Sequence, residues 1–185
     1  MPAVACLLRG INIGGHHKLP MNDLRTLCTS LGLCDVRTLL QSGNVVFRAD
    51  ARSFRRLPAL LEDSLEERFG FRPTVFLRTA AELRSIVSRN PLLRHAQADP
   101  GKFAVLFLAA APEARALDRM KSLKADNELL ELVGHELYIY LPQGFGRSKL
   151  LAGSLDRTLG TAATGRNWNT VCKLLAAAEE LERSE

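Results

Sequence analysis

The chain has 185 residues, 46% of them hydrophobic and 24% charged, and carries a net charge of +5 with a pI near 9.3. That length suits one large domain or two small ones. The composition excludes a charge-free apolar membrane span and offers no secretory leader ahead of the first strand pattern, so a cytoplasmic protein without a membrane partner is expected. The basic balance favours an anionic partner, a small phosphate- or carboxylate-bearing molecule or a nucleic acid.

Ala3 to Leu8 is apolar at every position, which predicts a central strand covered on both faces. Arg9-Gly10-Ile11-Asn12-Ile13-Gly14-Gly15-His16-His17-Lys18 follows, far longer than a strand-to-helix connection requires. Its glycines admit close backbone approach and its basic groups favour an anion, so it reads as a binding loop. Pro20 then opens a helix with Leu24, Leu27, Cys28 and Leu31 on one face, ended by Gly32. Val36 to Leu40 and Val45 to Phe47 read as strands joined in a tight hairpin at Gln41-Ser42-Gly43-Asn44. The next helix carries Leu57, Leu61, Leu65 and Phe69, with Pro58 in its first turn and Gly70 at its end. Thr74 to Leu77 is a fourth strand. Thr79 to Glu82 is a capping box that starts another helix, and Asn90-Pro91 ends it.

The order βαββαβ plus a helix then repeats, in element order rather than in letters. Phe103 to Leu108 is again apolar throughout. Pro112 opens a helix with Leu117, Met120 and Leu123 inward, and strands Leu129–Val133 and Leu137–Leu141 flank Gly134-His135. A helix over Ser148–Leu159, a short strand over Thr161–Thr164 and a last helix bearing Trp168, Val171, Leu175, Ala178 and Leu181 complete the chain. The expected fold is α+β: two tandem ferredoxin-like halves packed together, over residues 1–90 and 102–185, with 91–101 as linker.

Right-handed crossovers make the first and second strands of each half parallel, with the third antiparallel between them. This predicts that Arg9–Lys18 lies beside Gln41–Asn44 at one sheet edge. In the second half it brings Pro142–Lys149 and Thr164–Thr170 together, where strands three and four exit. The candidate ligand-binding residues are therefore Arg9, Asn12, Gly14, Gly15, Lys18, Gln41, Ser42, Asn44, Gly146, Arg147, Ser148, Lys149, Arg166 and Asn167. At the second edge two readings stand. Helix amides with Arg147, Lys149 and Arg166 suit an anion, or Ser148 and Asn167 are plain N-caps that take those amides internally.

Sharper chemistry is not supported. The cysteines Cys6, Cys28, Cys34 and Cys172 lack metal spacing and read as small buried hydrophobes kept reduced; the histidines also lack ligand spacing, so neither a metal nor a cofactor is expected. Gly144–Lys149 lacks the Gly-Lys-Ser/Thr ending of a P-loop. Ser42 and Ser148 have no recognisable base partner, which leaves catalytic residues unassigned. Tyr138, Tyr140 and Trp168 read as packing residues.

Arg9–Gly15, Leu19-Pro20-Met21, Gln41–Phe47, Gly146–Leu150 and Arg166–Val171 resemble, in order, the motifs of the bacterial domain-of-unknown-function family numbered 1697. The resemblance spans nearly the whole chain and implies a compact cytoplasmic α+β protein with ferredoxin-like halves and no assigned activity. Two positions depart from the family pattern: His16-His17, usually a more mixed polar pair, and Gly165, often Thr or Ala. The expected function is anion binding through glycine-rich basic loops. The alternatives are a nucleic-acid-binding module, an enzyme acting on a small phosphorylated metabolite, and a structural or protein-partner module.

Overall fold

The computed structural model describes residues 1–12, 16–151 and 155–184. Gly14 and Gly15 of the basic loop lie outside these. The chain is α+β, with two four-stranded antiparallel sheets. It divides into two compact units, Met1–Ser85 with Lys173–Glu185, and Ile86–Cys172.

In the first unit, β1 (Ala3–Leu8), β2 (Cys34–Leu39), β3 (Asn44–Arg48) and β4 (Val75–Thr79) form a sheet in the order β2-β3-β1-β4. β3 lies antiparallel between β2 and β1, as expected. Every residue of β1 is buried. One sheet face packs against α1 (Met21–Ser30) and α2 (Leu57–Phe69): Val4, Cys6, Leu8, Val45 and Phe47 meet Leu24, Leu27, Cys28, Leu61 and Leu65. Pro58 sits in the first turn of α2, and Gly70 ends it in the left-handed conformation at φ 75°. α3 (Ala80–Ser88) opens with the predicted capping box. Thr79 Oγ1 accepts from the Glu82 amide at 3.2 Å and Glu82 Oε2 from the Thr79 amide at 2.7 Å.

The second unit repeats the order with β5 (Phe103–Leu108), α5 (Ala114–Leu123), β6 (Leu129–Val133), β7 (Glu136–Tyr140), α6 (Leu155–Leu159) and β8 (Ala163–Asn167), in the sheet β6-β7-β5-β8. One face of this sheet shares a core with Met120, Leu150 and Leu159. On the other, Trp168 meets Phe103 edge-on at 5.6 Å, Tyr140 lies 5.0 Å from His95, and the buried Tyr138 hydroxyl donates to Ile86 O at 2.8 Å. The three aromatic residues are packing residues in this unit.

Several expectations are corrected. The presumed linker folds: α4 (Leu93–Ala98) and a 3₁₀ turn at Pro100–Lys102 occupy it, and Ala96 is fully buried. Asn90 Oδ1 accepts the Leu92 amide at 2.8 Å and so starts a new turn where the proline had suggested an open stretch. The last helix, α7 (Trp168–Arg183), begins in the second unit, but residues 173–185 belong to the first. Its inward stripe takes Leu174 where Leu175 was expected, and Leu123 of α5 is exposed. The β2–β3 connection is a four-residue loop, since the ladder closes at Leu39↔Asn44 and Leu40 takes φ 60°. Among the described residues the expected helix over Ser148–Leu159 is reduced to α6: Ser148 is extended (φ −80°, ψ 132°) and separates a 3₁₀ turn at Phe145–Arg147 from a second at Lys149–Leu151. Finally, Cys6 and Cys28 are buried and reduced, but Cys34 and Cys172 are exposed, because they fall on the outward positions of β2 and α7.

Candidate functional site

The first sheet edge is assembled by backbone pairing. The Leu8 amide donates to Gly43 O at 2.8 Å and the Arg9 amide to Thr74 O at 3.0 Å, so the basic loop leaves β1 between the hairpin and the start of β4. Asn12 then ties the loop down. Its Nδ2 donates to Gln41 O at 2.7 Å and Leu19 O at 3.0 Å, and its Oδ1 accepts the Leu19 amide at 2.8 Å. Its backbone is left-handed at φ 54°, which Asn tolerates better than most residues. His17, also left-handed, stacks on Phe71 with ring centroids 4.7 Å apart and places Nδ1 3.1 Å from Gly10 O. The result is a pinned loop with His16, His17 and Lys18 exposed and Arg9 half-buried.

Of the hairpin residues, Gln41 and Ser42 are exposed. Asn44 is fully buried, and its Nδ2 donates to Leu39 O at 3.1 Å and Ser42 Oγ at 2.8 Å. It holds the turn and does not face outward. Gly43 has φ 71°, and a Cβ on it would lie 2.6 Å from Ile11 Cδ1. The glycine lets the hairpin seat directly on the basic loop.

At the second edge, β7 and β8 both end against the start of β5, through Phe103↔Tyr140 and Ala104↔Asn167. The exits expected to be neighbours are neighbours. Their side chains are used differently, however. β8 runs on to Asn167, so Arg166 is a strand residue; it is buried, and its guanidinium donates to Thr164 Oγ1 at 2.9 Å and Gly165 O at 2.8 Å. Asn167 Oδ1 accepts from the Thr170 amide at 2.9 Å and its hydroxyl at 2.8 Å, and Ser148 Oγ accepts the Leu150 amide at 3.1 Å. Both polar residues therefore serve as local caps, the second of the two readings. Gly146, Arg147 and Lys149 are exposed on the two 3₁₀ turns.

Sequence reasoning missed a cavity of about 420 Å³ over one face of the second sheet. Ala104, Leu106, Ile139, Ala163 and Gly165 floor it, and Phe145, Leu151 and Leu155 lie over them. The available signal was Ala104 in β5 with Ala163 and Gly165 in β8, where sheet faces normally carry larger side chains. A second groove, of about 710 Å³, is lined by Asp50, Arg52, Arg55, Arg56 and Leu60 at the start of α2. Among the described residues no three His, Cys, Asp or Glu side chains cluster as metal ligands, and no helix is long and apolar enough to cross a membrane.

The sequence profile of a family described as "Protein of unknown function (DUF1697)" matches residues 1–138. Among solved structures, the chain is similar to the conserved bacterial protein SP0830 from Streptococcus pneumoniae. The TM-score is 0.76 at 22% identity, over 96% of this chain and 98% of that one. No curated protein matches the sequence.

Proposed function

The chain belongs to the DUF1697 family of proteins of unknown function, and from that premise we propose that it is a cytoplasmic anion-binding protein whose ligand carries a phosphate or carboxylate. The observation that carries this is the clamp made by Asn12. Of its three side-chain hydrogen bonds, one ties the basic loop to Gln41 of a hairpin distant in sequence and two tie the start of the loop to Leu19 at its end. A loop kept for length alone needs no such anchor, whereas a binding loop gains affinity from having its conformation set in advance. Lys18 supplies a point charge and Arg9 a planar fork, which together suit a single oxyanion group. Gln41 and Ser42 line the same edge. We also read each sheet, with its order of second, third, first and fourth strand, as ferredoxin-like, and the pair as a structural duplication.

The test is thermal melting in phosphate against a chloride series of matched ionic strength. Phosphate raises the Tm of the wild type by mass action and raises it clearly less in Lys18→Ala and Arg9→Ala. Equal stabilisation of all three proteins removes the proposal.

A second reading, nucleic-acid binding, is favoured by the exposed arginines Arg52, Arg55 and Arg56 along one groove. It requires affinity for a generic duplex that falls steeply with salt, through counterion release. A phosphate effect without measurable duplex binding decides for the small anion.

A further inference from the structure

We propose that the cavity over the second sheet is a separate binding site for an organic anion with an apolar body. The body sits on Ala104, Ile139, Ala163 and Gly165, and the charged group is met by Arg147 and Lys149. This does not rest on the reading of the first unit's loop.

The floor is made by three strands. Along β8, alternation puts Ala163, Gly165 and Asn167 on one face, opposite Leu108, Leu106 and Ala104 of β5. Three of these positions carry the smallest side chains available, in the middle of a face whose other residues, Leu106 and Ile139, are large. Tight packing would cover such a floor, because apolar surface left open to water forfeits both burial and packing contacts. The volume, about 420 Å³, is instead that of a small-molecule site. Gly165 keeps the floor low: a Cβ there would come within 2.9 Å of Leu106 Cδ2.

The residues over the floor are only half-buried, although Phe145, Leu151 and Leu155 are apolar. They are thus exposed to whatever enters. Charge selects the occupant. Phe145 shares its 3₁₀ turn with Arg147, and Leu151 shares the next with Lys149. Both cations are exposed, and residues 141–155 contain no Asp or Glu. Among the described residues neither cation has a carboxylate partner. Arg166 lies in the lining itself, Arg147 and Lys149 stand on the turns that carry Phe145 and Leu151, and the nearby Asp156 carboxylate is engaged by the Ala163 amide at 3.2 Å. This balance suits a carboxylate, phosphate or sulfonate joined to a hydrophobic body. Asn167, also in the lining, uses Oδ1 for its cap, which leaves its Nδ2 to donate to a polar atom of the ligand.

Two fluorescent probes with the same ring system separate the parts of this claim. One is 1-anilinonaphthalene-8-sulfonate, and the other is N-phenyl-1-naphthylamine, which lacks the sulfonate. The wild type binds both at one site. Ala163→Phe, which fills the chamber, weakens both by about tenfold or more. Arg147→Ala with Lys149→Ala weakens the sulfonate probe by about tenfold and leaves the uncharged one unchanged. Magnetisation transfer in the unmodified protein, between probe rings and the Ile139 and Leu106 methyls, stands even if Ala163→Phe does not fold. Binding without that transfer overturns the proposal, as does sulfonate binding that is indifferent to the double substitution.

Discussion

Gly43 and Asn12 show how few side chains set the first edge. At Gly43 a methyl group meets Ile11 and Leu8, both buried, at 2.6–2.9 Å, on a backbone with φ 71°. Neither neighbour has room to retreat. Gly43→Ala should therefore cost about 2–4 kcal/mol, as left-handed strain plus overpacking, and Gly43→Val more. Chemical denaturation measures it, and an unchanged midpoint contradicts the packing described. The cysteines make a second case. Cys6 and Cys28 should react slowly with a thiol reagent in the native protein and Cys34 fast, with Cys172 slower than Cys34 because partial burial raises its thiol pKa. Burial pushes the Cys28 thiol from its ordinary 9.0 up to about 12. The folded protein then holds a proton that the unfolded chain releases first. The stability due to this group is complete below pH 9 and is lost as pH rises toward 12. Alkaline denaturation of wild type and Cys28→Ala tests the sign: the wild type should lose stability more steeply over that range.

α7 shows what an element contributes beyond its propensity. Its last turns carry Ala178 and Leu181, both buried, and the buried Arg48 of β3 donates to Leu181 O. Around this contact lie exposed ion pairs, Arg37–Glu180 at 2.8 Å and Arg84 with Glu179 and Glu182 at 2.9 and 3.1 Å. The two kinds of contact differ in weight. Leu181→Ala should cost about 2–5 kcal/mol by leaving a cavity. Arg84→Ala should move the denaturation midpoint little, and that small change should shrink further in salt. A larger effect from the arginine than from the leucine would mean that ion pairs, and not burial, hold the helix.

Chain order and spatial grouping part company in this protein. The first unit takes residues 173–185 from the far end of the chain. A fragment ending at residue 90 therefore contains the whole βαββαβ pattern but lacks Ala178 and Leu181, which the first unit buries. It should not melt cooperatively when followed by circular dichroism, whereas the full chain should. A cooperative transition in the fragment would show that the C-terminal helix is dispensable to the first unit.

What could be read in the letters was local. The six apolar residues of β1 and of β5, Pro58 and Gly70 bounding α2, the Thr79–Glu82 box, and Gly134 turning β6 into β7 all act through neighbours a few residues away. Backbone preference and periodicity therefore reveal them. The pairing at the first edge was also legible, because a short list of chain topologies leaves little choice once strands and helices are in order. Other features had no local signature. β8 extends through Gly165 and Asn167, poor strand formers, because β5 offers an unpaired ladder as far as Ala104. That extension moved Arg166 from a loop onto a sheet and turned Asn167 into a cap. The cavity is the clearest case. Its walls come from residues 104 to 167, and no one of them is unusual alone. A void is a property of the distances between elements, and those distances are fixed only when the elements pack.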